Sequence, residues 1–400
     1  MQDAGCAMAD AFRVPDSEWL PDEWVMKSCR FLQVTVLVAG FVTLFWCGAQ
    51  TKAWWGVPLA LVVYFVSGFL HEAGHAVAAL LGGATITRAQ VGSIEIVPLR
   101  DGVRMRWNRA AREFGGLVQS FPSTKRSLRR QMVATIAAGP VVNAVIAVAA
   151  LLAAHGRLDT APGVMLLGIA AFNAASTIAN LLPWASSAML ASDGLQLLRW
   201  LRGIDEKDPQ LALVVLTSRL ISGERSGEWV DDYLRVLEHT SQPGPLLVLW
   251  SRLRMAQVQG DWALVEELMG QVELQIVGLS PQMAKALERL IAVIRCEAAF
   301  SRAMAGHALE RSPVEILGPD MGWHMPAVRL RCQALECLWH GHLDMARLRL
   351  AESERWSKRS VDRSLEHGES PLRDALAAAI DRAQREATQR IGAQVQMGNA

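Results

Sequence analysis

The stretch AWWGVPLALVVYFVSGFLHEAGHAVAALLGG, residues 53–83, decides the architecture of this 400-residue chain. From Ala53 to Leu70 it carries no charged side chain, and the run is then broken by His71, Glu72 and His75. Three other runs also lack Asp, Glu, Lys and Arg: Phe31–Thr51, Gln131–Gly156 and Thr160–Ser192. A helix needs about 20 apolar residues to cross the hydrocarbon core of a bilayer. The reading is therefore a polytopic α-helical membrane domain over 31–203, with four spans at about 31–50, 53–82, 131–155 and 161–183. The whole-chain figures agree: 51% hydrophobic residues, 20% charged, and a mean hydropathy of +0.19. They exclude a disordered or collagen-like chain. Lys and Arg total 40 against 39 Asp and Glu, so net charge gives no reason to expect a nucleic-acid partner.

The loop between the second and third spans carries Arg88, Arg100, Arg104, Arg106, Arg109, Arg112, Lys125, Arg126, Arg129 and Arg130, opposed by Glu95, Asp101 and Glu113. Basic loops stay cytoplasmic, which places both termini inside. The acidic N-terminal segment (1–30) is unlike a secretory signal, so the first span is expected to be kept as an anchor. Trp19, Trp24, Trp46, Trp54 and Trp55 lie near span ends, as interfacial aromatics do. The six cysteines form no CxxC pair and imply neither a disulfide framework nor a zinc knuckle.

His71 and His75 are four apart, so a helix puts them on one face with Glu72 beside them. In this HExxH arrangement two imidazoles bind zinc and the carboxylate serves as general base. Ionisable groups inside a span are costly and usually functional. A catalytic zinc needs a third protein ligand and an open position. Glu95 follows His75 at a thermolysin-like interval, but its setting VGSIEIVPL alternates like a strand. Asp193, at the cytoplasmic end of the fourth span, is the stronger candidate.

HEAGH (71–75), AAGPVVNAV (137–145), NLLP (180–183) and SDG (192–194) together resemble the site-2 protease family of intramembrane zinc metalloproteases. The resemblance implies one catalytic Zn2+ held by His71, His75 and Asp193, with Glu72 as catalytic base. It gives Asn180 a polar role near the substrate peptide or oxyanion, and makes Gly139, Pro140 and Asn143 a packing or substrate-facing element. One departure stands out. The family places about four residues between that Pro and the Asp, whereas Trp184–Ser192 intervenes here. The loop 84–128 contains a short β-hairpin turning at Arg100-Asp101-Gly102. In the family such strands present substrate by edge pairing, and the loop is too short for the PDZ domain of many relatives.

Beyond Trp200 charges become regular. Helical segments Leu246–Val258, Ala263–Val272, Met283–Ala305, Val328–Trp339 and Leu343–Ala351 alternate with turns at Gly260, Gly306 and Gly341. This reads as a cytoplasmic all-α domain (204–385), either tetratricopeptide-like with a partner-binding surface or an irregular bundle, followed by a disordered tail (386–400). The function expected is intramembrane cleavage of a membrane-anchored substrate in a bacterial-type cytoplasmic membrane, in regulated proteolysis. The alternatives are a non-catalytic scaffold or adaptor of the same fold, and a peptidase processing a small secreted peptide.

Overall fold

A computed structural model describes residues 22–108, 116–187, 190–202, 211–224, 228–240, 242–309 and 311–398. The acidic N-terminal residues up to Glu18, Trp19, Arg109, Arg112 and Glu113 lie outside them. The described residues form two compact units. One holds residues up to Pro98 with Val103–Ser218; the other holds the turn Leu99–Gly102 and the chain from Arg219 on.

In the first unit, helices α1 (Glu23–Gln50), α2 (Gly56–Gly82), α3 (Leu128–Ala154) and α4 (Ala161–Leu181) are each long and apolar enough to cross a membrane. They match the four expected spans, with α1 starting about two turns earlier than Phe31. Their apolar character is not spent on an internal core. Leu81, Val145, Val148 and Leu152 stay exposed, as side chains facing lipid would. Helices cannot associate in lipid by the hydrophobic effect, so small residues bring backbones together. Gly40 faces Ala175, and a Cβ at Gly74 would come within 2.9 Å of the Ala138 carbonyl. Asn173, fully buried, donates from Nδ2 to Ser67 Oγ (3.1 Å), tying α4 to α2. Gly83 ends α2 in the left-handed conformation (φ 84°).

Four strands fill the interval after α2: β1 (Thr85–Val91), β2 (Ile94–Leu99), β3 (Gly102–Trp107) and β4 (Gly116–Phe121). They form an antiparallel sheet in the order β3-β2-β1-β4. The expected hairpin is β2–β3; β1 and β4 extend it, and β4 is an edge.

The second unit is helical: α7 (Glu228–Glu238), α8 (Gly244–Gln259), α9 (Trp262–Val277), α10 (Pro281–Ala286), α11 (Glu288–Met304), α12 (Pro313–His324), α13 (Pro326–Trp339), α14 (Leu343–Arg359) and α15 (Arg363–Gly398). It follows α5 (Asp193–Arg202) and α6 (Ala212–Ile221). Gly260, Gly306 and Gly341 have φ of 75°, 87° and 72°, so each predicted turn uses a conformation that favours glycine. Met283–Ala305, read as one helix, is broken at Leu287 between α10 and α11. Residues 386–398, expected to be a disordered tail, continue α15; they include Ala387, Gln389, Arg390, Ala393, Gln394 and Gln396, all good helix formers.

The core around Phe300, Leu335, Leu372 and Leu376 adjoins a buried ion network. Arg331, fully buried, donates from Nη2 to both oxygens of Glu297 (2.7 and 2.8 Å) and from Nε to Glu369 (2.7 Å). Arg254 lies 3.2 Å from Glu297 and 3.1 Å from Glu369. Burial by itself would raise the Glu369 carboxyl, but Arg331 and Arg254 outweigh it and hold it below the usual carboxylate range. A depressed folded pKa gives stability that is complete above the unfolded value of about 4.3 and is lost as pH falls through the folded one. Arg331→Met removes the buried guanidinium from two carboxylates and leaves Arg254 to face both, and it is expected to destabilise this unit by about 3–5 kcal/mol. Thermal unfolding of the full chain checks it, and an unchanged midpoint would show the network to be dispensable.

Candidate metal centre

Helix α2 carries His71 and His75 one turn apart, both nearly buried (7% and 9% exposed). The third group arrives from 122 residues away. The nine residues separating Pro183 from Asp193 do not displace it, because they fold back on themselves. Strands β5 (Ala185–Ser187) and β6 (Leu190–Ala191) pair antiparallel, and the Ser192 amide donates to the Trp184 carbonyl (2.9 Å). Ser192 Oγ donates to the Leu182 carbonyl (2.6 Å) and accepts from the amides of Trp184 (3.1 Å) and Leu195 (3.2 Å). The last of these caps α5. The chain thus leaves α4 and re-enters α5 at neighbouring points. The glycine after Asp193 is required there, since a Cβ at Gly194 would overlap the Leu181 carbonyl. Trp200, packed with Ile136, Leu211 and Val214, anchors α5.

The three ligand atoms form a small triangle. His71 Nε2 and His75 Nε2 are 3.1 Å apart, and Asp193 Oδ2 is 3.2 Å from the first and 3.5 Å from the second. A tetrahedral zinc with N and O ligands at about 2.0–2.1 Å has ligand–ligand edges of about 3.3 Å, so the donor set fits. Space for the ion exists because residue 139 is glycine: a Cβ there would overlap the Nε2 side of both imidazoles. Burial alone would raise the Asp193 carboxyl. The facing His71 and His75 outweigh this and bring it down to about 2, so it is an anion at neutral pH, the form in which carboxylates bind metals.

Around the triangle, the Thr135 carbonyl accepts from His75 Nδ1 (2.7 Å), and the carboxamide of Asn143 (2% exposed) lies 3.2 Å from His71 Nδ1. Asn143 therefore faces a histidine, while Asn180 is half-buried in the last turn of α4. Glu72 is directly against the start of β4, where a Cβ at Gly116 would overlap its carboxylate. Glu95 stands outside this cluster. It is fully buried in the sheet and bound by Arg88 (2.5 Å) and Arg106 (2.7 Å), which leaves it neutralising two guanidiniums. The sheet's edge at Glu72 had no signal in the sequence, because β1 and β4 mix polar and apolar residues.

Four helices long and apolar enough to cross a membrane, together with a His-His-Asp cluster, have the form of a multi-pass membrane metalloprotease. The sequence model for peptidase family M50 matches residues 59–296. The chain belongs to this family, the site-2 protease family of zinc-dependent membrane peptidases. The match runs past the motif-bearing spans to Cys296 in α11. Neither the curated proteins nor the solved structures give a match.

Proposed function

We propose that this protein is an intramembrane zinc endopeptidase cleaving a membrane-anchored protein within or beside its transmembrane helix, with release of a regulatory fragment. The observation that carries the reading is the triangle of His71 and His75, on a helix long and apolar enough to cross a membrane, with Asp193 at the start of α5 and Glu72 at its side. A zinc ion held by those three residues would supply Lewis acidity to a water and to the scissile carbonyl. Glu72 takes a proton from the attacking water at its carboxylate as the new C–O bond forms. It then passes that proton to the departing amide nitrogen as the C–N bond breaks. Asn180 is the polar group nearest in role to an oxyanion partner.

A peptide bond inside a helix is shielded by its own hydrogen bonds, so the substrate must unwind. Edge strand β4, adjacent to Glu72, offers an extended segment backbone partners at the point of cleavage. The family resemblance implies this role for the hairpin 94–107; the placement of β4 favours Leu117 and its neighbours instead. A photocrosslinker at Leu117 is expected to capture a single-span substrate, and one at Met105 on β3 is not. Capture only at Met105 would assign presentation to the other edge.

Basic residues Lys125, Arg126, Arg129 and Arg130 beside α3 support a cytoplasmic location for the sheet, both termini and the helical unit, in a bacterial-type inner membrane. The helical unit would select or gate substrate, its paired helices offering a surface to a protein partner. The decisive experiment is reconstitution of the full chain with zinc in liposomes holding single-span substrates, with cleavage sites mapped by mass spectrometry. Cuts inside or next to the span are expected. Cleavage confined to small secreted peptides, or none, would overturn the reading.

A further inference from the structure

Thr135, Gly139 and Asn143 recur at every fourth position of α3 and lie along one helix face. All three touch the histidines: the first by its carbonyl, the second by leaving room, the third by its carboxamide. We infer that Asn143 is a positioning residue for the metal centre, its Oδ1 accepting the Nδ1–H of His71 so that Nε2 is bare to act as ligand. The inference rests on the metal-binding reading given above.

The argument begins from His75. Its Nδ1 meets a backbone carbonyl at 2.7 Å, and a carbonyl can only accept. Nδ1 therefore carries a proton, and in the neutral ring the lone pair is on Nε2, the tautomer a metal needs. His71 presents the same edge to a carboxamide, which can donate from one end or accept at the other. The two ends have equal shape, and orientations related by a half-turn about χ2 are chosen by their hydrogen bonds. With Nδ2 toward the ring, 3.2 Å from Nδ1, the imidazole proton would be forced onto Nε2, the atom facing Asp193 and His75. The half-turn forfeits no hydrogen bond, because Oδ1 is buried without a partner among the described residues. It gives His71 the tautomer that Thr135 gives His75. A residue 2% exposed and turned to the far side of a ligand histidine is not placed to bind substrate.

The test is zinc affinity of the full chain in detergent or nanodiscs, measured by competition with a chelator, with activity recorded separately. Asn143→Leu keeps the volume and removes the acceptor. It is expected to weaken zinc about 10–100-fold, the usual effect of losing an outer partner of a ligand. Asn143→Asp keeps an acceptor and removes the donor. It is expected to hold zinc at least as tightly as the wild type. Wild-type affinity in Asn143→Leu would make the residue mere packing and overturn the inference. A tenfold or greater loss in Asn143→Asp would overturn it too, showing that the amide acts as a donor, and this arm stands even if Asn143→Leu fails to fold. If the wild type itself takes up no stoichiometric zinc, the metal-centre reading fails, and not only the role of Asn143.

Discussion

Replacing Glu72 with Gln is expected to lower kcat/KM for a membrane substrate by about 10²–10⁴, the range of a lost general acid–base group, while zinc stays bound. The two halves of this prediction come from different observations. The carboxylate is next to the ligand triangle but outside it, which consists of His71, His75 and Asp193. The amide of Gln has nearly the same volume, so it keeps contact with Gly116 of β4. It has no proton-accepting carboxylate, so water attack loses its base. Paired measurements of turnover and metal content check both halves. Full activity in Glu72→Gln would remove the protease assignment, and lost zinc would make Glu72 a ligand.

Gly139→Ala is expected to abolish stoichiometric zinc binding by adding a single methyl. A Cβ at this position would overlap His75 Nε2 and crowd His71 Nε2, in the space that an ion between the three donors requires. The backbone cannot retreat easily, because α3 also packs against α4, where Thr177 Oγ1 donates to the Pro140 carbonyl (3.3 Å). The loss should exceed the roughly 10–100-fold expected for an outer partner, because the ligand atoms themselves are displaced. Gly68→Ala is the control. It lies on the same helix as the histidines, and a Cβ there meets nothing within 4 Å among the described residues. It should leave zinc affinity unchanged, with a gain in stability of about 0.5–1 kcal/mol. Equal zinc affinity in wild type and Gly139→Ala would mean that the two helices can part to admit the methyl.

The legible features were those written locally. A bilayer demands continuous apolar helices, so four spans could be read from missing charges. HExxH needs one helical turn, so His71, Glu72 and His75 could be placed without any tertiary contact. The glycine turns at 260, 306 and 341 declare themselves by residue type. Strands β1 and β4 were hidden because Arg88 and Gln119 point inward, at 3% and 7% exposure, and erase the alternation that marks a half-buried strand. Arg331, Glu297 and Glu369 carry no local sign of burial; only the meeting of α11, α13 and α15 shows them as a buried network. Glu95 was ambiguous for the same reason, since a buried carboxylate can serve a metal or a guanidinium.

By itself, then, the sequence determined that this is a membrane protein with a two-histidine metal motif, because hydrocarbon thickness and helical periodicity act within one segment. The tertiary structure decided what completes the site. A β-hairpin absorbs the long spacing before Asp193 and returns it to the histidines. The glycine and asparagine of α3 shape and orient them, and the edge of the sheet meets Glu72. These depend on distances between segments far apart in the chain, which follow from packing and not from any local pattern.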